Sequence, residues 1–349
     1  MSKPITLYNI DRLVSSNGTE LAIDNAGASA SLSRSESSEF IDYTFNVAEG
    51  AGAAGAVANT HAADGHSSTA TGVMIVGGES YANAMMKGVE FINIIDDSNN
   101  TNYPDLSTGV FTPALNSNGS TAMLVGGVGH GTNKENISLI GFAETSTAES
   151  HGTLPVGIWS AGGVSDGTRS VVTGGSVSGG YSNQVYMALF DDASGATQFG
   201  ELTGTRAFQG AATDAQKILS MAGYFNSAWT DNVEVMPFEQ NGTSTSFASL
   251  GENKAYQNAG SNGTLAIIKQ GQGSTNTTYY VAFADGAVAQ GQNALYGRMQ
   301  SAGASNEDTY LCGGGNGGQY NQTEKQGYET SSVSVSGANL SGSLKLMGC

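Results

Sequence analysis

Basic residues are scarce in this chain. Thirteen Lys and Arg stand against 30 Asp and Glu, a formal net charge of −17, and no basic cluster occurs anywhere. Phosphate backbones would be repelled, so nucleic acid is excluded as an expected partner. The chain has only two cysteines, Cys312 and Cys349. That is too few for a disulfide framework, and two readings stay open: two free thiols, or one staple closing the C-terminal repeat. No apolar run approaches the ~20 residues of a membrane span. No hydrophobic signal segment follows Met1-Ser2-Lys3-Pro4, so assembly inside a cell is expected rather than export. Charged residues are 12% of 349 and prolines number five. What fills the space is glycine, 50 of them, amid Ser, Thr, Asn and Ala between short apolar stretches. That mixture favours many short strands joined by tight turns. With 39% apolar residues recurring at fixed intervals, it is not the composition of a disordered chain.

The intervals decide the fold class. Short apolar stretches close on Gly27, Gly78, Gly127, Gly175, Gly223, Gly271 and Gly314, with successive gaps of 51, 49, 48, 48, 48 and 43 residues. About ten residues ahead of each stands a turn signal: Asn17-Gly18, Asp64-Gly65, Asn118-Gly119, Asp166-Gly167, Asp214-Ala215, Asn262-Gly263 and Asn306-Glu307. Most of these predict hairpins of type I′, whose two central residues are both left-handed. A leucine keeps the same beat at Leu106, Leu154, Leu202, Leu250, Leu295 and Leu340. Three chemical signals with one period predict a repeat architecture.

The fourth unit shows what each repeat contains. Strands are predicted from Ile158 to Val164, Arg169 to Thr173, Gln184 to Phe190 and Thr197 to Leu202, the third with period-two alternation. Four antiparallel strands per 48 residues make one propeller blade, so the expected fold is an all-β propeller of seven four-stranded blades, with six or eight as the alternatives. Small residues in the first strand (Ala207 to Ala212, Ala255 to Ser261, Met299 to Ser305) suit a crowded centre. Ile75, Phe91, Leu124 and Val235 are expected to pack between blades. The domain reading is residues 1–10 as an N-terminal strand or arm and residues 11–349 as the propeller. Either Ile5 to Ile10 or Ser343 to Cys349 is expected to complete a terminal blade.

These residues carry a resemblance. A glycine doublet after an apolar strand, then an alternating strand, then an aromatic before the unit ends, resembles kelch-type propellers. The segment Gly195 to Arg206, GATQFGELTGTR, resembles the kelch-like repeat of structural proteins from tailed bacteriophages. Ala196, Thr197, Phe199, Gly200, Leu202, Thr203 and Arg206 match it, while Gln198 and Glu201 replace that repeat's two acids. The resemblance implies a non-enzymatic virion protein, tail fibre, tail-associated or capsid-decorating. Its implied partners are other virion proteins and, for host attachment, a surface glycan. Alternatives are a carbohydrate-binding lectin and a propeller hydrolase or oxidase.

Candidate sites are few. His61, His66, His130 and His151 have no metal-ligand spacing, so no catalytic or metal set is assigned. Asp96-Asp97 and Asp191-Asp192 fall at turns after third strands, where a Ca²⁺ reading competes with plain solvation. The best contact candidates are Tyr181, Trp229 and Tyr320, each six residues beyond a repeat glycine and so expected at equivalent heights on one face. They could stack on a sugar ring or anchor a partner, or pack down on their own loops.

Overall fold

The computed structural model describes residues 72–80, 85–129, 134–143, 145–239, 242–256, 258–269, 271, 276–299, 301–315, 321–341 and 344–345, with four short strands ahead of them. The chain divides into two compact units, Met1–Gly52 and Ala53–Cys349. In the first, Ile5–Leu7 pairs with Ala30–Leu32 and Arg12–Val14 with Glu20–Ala22, all antiparallel.

The second unit is a propeller. Blade one holds Ala114–Ser117, Thr121–Val125, Asn136–Gly141 and Glu149–Thr153; blade two holds Gly162–Ser165, Arg169–Thr173, Gln184–Leu189 and Thr197–Glu201. Blade three is built on Gly210–Thr213, Lys217–Met221, Ala228–Pro237 and Thr245–Lys254. Asn258–Ser261, Leu265–Lys269, Thr278–Ala282 and Val288–Gln290 form blade four, and Ala302–Ser305, Thr309–Gly313, Thr323–Gly327 and Val335–Ser336 form blade five. A three-stranded sheet, Gly72–Val76, Val89–Asn93 and Asn99–Asn100, stands between blade five and blade one.

The expectation of seven four-stranded blades is therefore corrected to five, plus this smaller sheet. The first of the seven expected units, marked by Gly27, lies within Met1–Gly52, whose described strands pair among themselves. At the far end, Leu344–Lys345 pairs with Glu79–Ser80 as a separate two-stranded sheet, so the C-terminal segment returns to the chain just after the first strand of the ring.

Packing follows from the alternation in each strand. Six apolar clusters fill the six gaps between successive sheets: one gap is filled by Met74, Phe91, Leu124 and Ile140, another by Val164, Val171, Phe199 and Ile218. Ile75 and Ile92 meet Leu311 and Leu340 across the gap that closes the circle. Each fully buried side chain of this size contributes about 1.5–3 kcal/mol. The repeating leucine plugs these gaps at Leu106, Leu154, Leu202, Leu250 and Leu340. Leu295 is the exception, 45% exposed, because in blade four Ala294 takes the buried place. The backbone shows this register: the N–H of Leu154, Leu202, Ala294 and Leu340 each donates to a carbonyl of the preceding loop, at 2.7 Å.

The first strands are small because they crowd one another at the centre. A Cβ on Gly162 would lie 2.7 Å from Ala211 Cβ, and one on Gly210 would lie 2.9 Å from Ala259 Cβ.

The turns differ from type I′. In the blade-two turn, Asp166 N–H donates to Arg169 O, and of the two central residues only Gly167 is left-handed, at φ 85°. The aspartate acts through its side chain, Oδ1 accepting Thr168 N–H at 3.0 Å and Arg169 N–H at 2.7 Å. Asn118, Asp214, Asn262 and Asn306 do the same for the turns of blades one, three, four and five. The Asx side chain supplies a turn bond of its own, so its backbone need not enter the left-handed region.

The glycine that closes each apolar stretch links one repeat to the next. Gly78, Gly127, Gly175, Gly223 and Gly271 donate N–H to the carbonyls of Val110, Ile158, Arg206, Lys254 and Arg298, at 2.7–3.0 Å. These glycines, and Gly315 in blade five, have φ between 91° and 126°. In blade five the equivalent residue is thus Gly315, one place beyond Gly314.

Candidate functional site

The residues that accept those bonds begin each new blade, and their side chains are buried. Val110 and Ile158 serve early in the ring; Arg206, Lys254 and Arg298 stand in the same place later, each no more than 2% exposed. Buried charge needs partners. Arg206 Nη1 donates to Ala222 O at 2.6 Å and Asn232 O at 3.1 Å, Nη2 donates to Asn232 Oδ1 at 2.7 Å, and Glu234 lies 3.5 Å away. Glu234 also accepts from the hydroxyls of Thr203 and Ser244. Loss of hydration pulls the Arg206 guanidinium down to about 10 and pushes the Glu234 carboxyl up, each partner's charge opposing the shift. Across the gap between blades four and five, Lys269 and Glu324 pair at 2.8 Å, both fully buried.

Two residues beyond the first four of these positions the chain turns left-handed. Thr112, Ser160, Phe208 and Tyr256, spaced by 48, have φ of 55°, 55°, 56° and 59°. Their backbones form a relay in which Ser160 N–H donates to Thr112 O at 3.0 Å, Phe208 to Ser160 at 3.0 Å, and Tyr256 to Phe208 at 2.9 Å. Threonine and serine suffice for that geometry in two repeats, yet two bulky rings hold it in the next two, in a conformation such residues seldom adopt.

Those two rings belong to a larger group. Tyr181 ends the small hairpin of Ser176–Val177 and Gly180–Tyr181, while Trp229 pairs with Tyr224 where the loop of blade three enters its third strand. Ring centroids run Tyr181 to Phe208 at 6.2 Å, Phe208 to Tyr256 at 4.5 Å and Tyr256 to Trp229 at 5.7 Å. Trp229 to Tyr224 at 4.8 Å and Tyr224 to Tyr181 at 5.2 Å complete a closed circuit of five half-buried rings. The Tyr256 hydroxyl is raised above the ordinary phenol value by burial first, then by Tyr181 and Tyr224. Of the three aromatics expected on one face, Tyr181 and Trp229 thus enter one cluster, and Tyr320 lies outside the described residues. Phe208, Tyr224 and Tyr256 escaped the sequence reading, because a 48-residue spacing of Thr, Ser, Phe and Tyr has no common side-chain chemistry.

The remaining candidates have other partners. Asp96 accepts Ser98 N–H at 2.9 Å, and its Ser98 bonds hold its carboxyl below the ordinary value. Asp97 pairs with Lys325 at 2.8 Å, and Asp192 accepts Ser194 N–H at 2.9 Å. His151 donates from Nε2 to Leu189 O at 2.7 Å and is buried. His61, His66, His130 and Cys349 lie outside the described residues. Cys312 is a buried free thiol. Among the described residues no group of three His, Cys, Asp or Glu side chains could hold a metal ion. Compared with protein-family models and with curated proteins, the sequence matches none.

Proposed function

We propose that this chain is a non-enzymatic structural component of a tailed-phage virion, capsid-decorating or tail-associated, whose propeller is a rigid platform for docking other virion proteins. The observation that carries the reading is the resemblance of Gly195 to Arg206 to the kelch-like repeat of such proteins. The matched residues hold repeating structural places: Phe199 and Leu202 fill the gap between blades two and three, and Arg206 opens blade three. A match on these places fits descent from one repeat better than chance likeness on a surface strand. The acidic balance favours solubility and disfavours nucleic acid. Fold alone does not assign a role, so the test is direct. Proteolytic peptides of this chain are expected in density-purified particles at a copy number set by capsid or tail symmetry, with density for the ring in a cryo-electron reconstruction. Particles that lack the chain, with the protein confined to the soluble fraction of infected cells, would refute the reading.

A further inference from the structure

The five-ring circuit has properties that packing alone does not demand. Thr112 and Ser160 show that the fold needs no ring where Phe208 and Tyr256 stand. Tyr181 with Phe208, and Trp229 with Tyr256, are the same pair of places in consecutive repeats, 48 residues apart, and Tyr224 joins them into a closed loop. Rings that wall a five-sided box turn by a fifth of a circle from one wall to the next. Three of the five neighbouring pairs turn by 72°, 72° and 74°, and the other two by 44° and 55°. A regular circuit with sides of this length has its centre roughly 4.5 Å from every centroid, inside the ~6 Å range over which a cation is drawn to a ring face.

The charge distribution agrees. Among the described residues, cation–π contacts fall on Trp159, Phe199, Phe238, Phe225, Tyr279, Tyr310 and Tyr296, and none falls on these five rings. A chain of formal charge −17 draws cations towards its surface. A pyranose stacks on a flat, open ring face, whereas rings turned steeply against their neighbours offer an enclosure suited to a compact, weakly hydrated cation.

We propose that Tyr181, Phe208, Tyr224, Trp229 and Tyr256 form an aromatic cage for a quaternary or methylated ammonium group. This goes beyond the virion role and does not depend on it.

The test is a titration of the intact chain with tetramethylammonium chloride, at ionic strength held constant with sodium chloride. Saturable quenching of tryptophan emission is expected, with an upfield shift of the N-methyl proton resonance from the ring currents. Trp159→Phe removes the other tryptophan and should leave the response in place. Phe208→Ser and Tyr256→Ser install the residue that Ser160 already supplies in the preceding repeat, so both should fold; each should weaken binding roughly tenfold. Phosphatidylcholine vesicles separate two sources of the group: co-sedimentation assigns a lipid headgroup, and binding of tetramethylammonium without co-sedimentation assigns a free solute. The proposal is overturned if tetramethylammonium gives no saturable response in the folded chain. Equal binding by the uncharged isostere 3,3-dimethylbutanol overturns it, as does a response to neutral oligosaccharides alone or full binding by both serine variants.

Discussion

Replacing Arg206 by isoleucine tests how the repeats differ in their interiors. Isoleucine fits the place, since Ile158 occupies it one blade earlier and is 1% exposed. The substitution strands Glu234, itself 1% exposed, with its bonds from Thr203 and Ser244 and no compensating charge. It also removes the guanidinium donors from Ala222 O, Asn232 O and Asn232 Oδ1. Breaking a buried ion pair from one side costs about 3–5 kcal/mol, which in a unit of this size lowers the melting temperature by roughly 5–10 °C. The place of Glu234 corresponds to Tyr186 in blade two, because the carbonyls two residues before them, Asn232 and Gln184, accept equivalent bonds from Ala222 and Gly174. The double variant Arg206→Ile, Glu234→Tyr therefore copies the Ile158 and Tyr186 arrangement, and is expected within about 2 kcal/mol of the native chain. Guanidinium unfolding of both single variants and the double gives the coupling. The sign of the pH effect is also fixed. An acid whose folded value lies above its unfolded value binds its proton more tightly when folded, so stability falls as pH rises from about 4.5 upward. The deficit of Arg206→Ile should accordingly be smaller near pH 5 than near pH 8. A double variant as unstable as Arg206→Ile, or a deficit that ignores pH, would refute the reasoning.

Other outcomes follow from single positions. Gly223→Ala adds a strained left-handed alanine at φ 91° whose Cβ would lie 2.7 Å from Ala207 O, whereas Gly119→Ala at φ 88° meets nothing within 4 Å; equilibrium unfolding should show about 1 kcal/mol lost at Gly119 and several at Gly223. The turn position should prove mild, since Ala215 already stands in its equivalent with φ 65°. Burial pushes the Cys312 thiol up to about 12, so iodoacetamide should label it only when denaturant is present, and rapid labelling of the folded chain at Cys312 would contradict its burial. Tyr280 is raised to about 12 by burial; its proton is held in the folded state and lost in the unfolded one between pH 10 and 12, so stability should fall as pH climbs through that window. Tyrosinate absorbance should accordingly show late ionisation that coincides with unfolding, and Tyr280→Phe should move it.

Much of the blade was legible in the sequence because it rests on backbone requirements. Arg169–Thr173 was read to the residue, and the third and fourth strands of blade two to within one at their ends. The blade count was not legible, since Leu21 to Gly27 has the same local signature as a blade strand but lies in the separate Met1–Gly52 unit, where Glu20–Ala22 pairs in a two-stranded hairpin with Arg12–Val14. Leu295 misled for a related reason: a shorter loop in blade four moves the buried place to Ala294, and composition cannot show a shift of one. Type I′ turns were expected because Asn and Asp tolerate left-handed angles, but their side chains cap the turn, and in blades one to four only the following residue takes that angle. Of the aromatic circuit, Tyr181 and Trp229 were visible through their common offset from a glycine. Phe208 and Tyr256 were not, because their repeat partners are small hydroxyl residues.

The link from the closing glycine of each repeat to the carbonyl opening the next blade joins main chain to main chain. Such a joint is blind to side-chain identity, provided one residue lacks a Cβ. Neighbouring modules can therefore drift apart in sequence, and acquire quite different interiors, such as isoleucine in one and an arginine ion pair in the next, without loosening the seam between them. That accounts for units which share little beyond a glycine, a turn and a leucine yet meet in one ring, and for the freedom of two adjacent modules to specialise while the others keep the plain form.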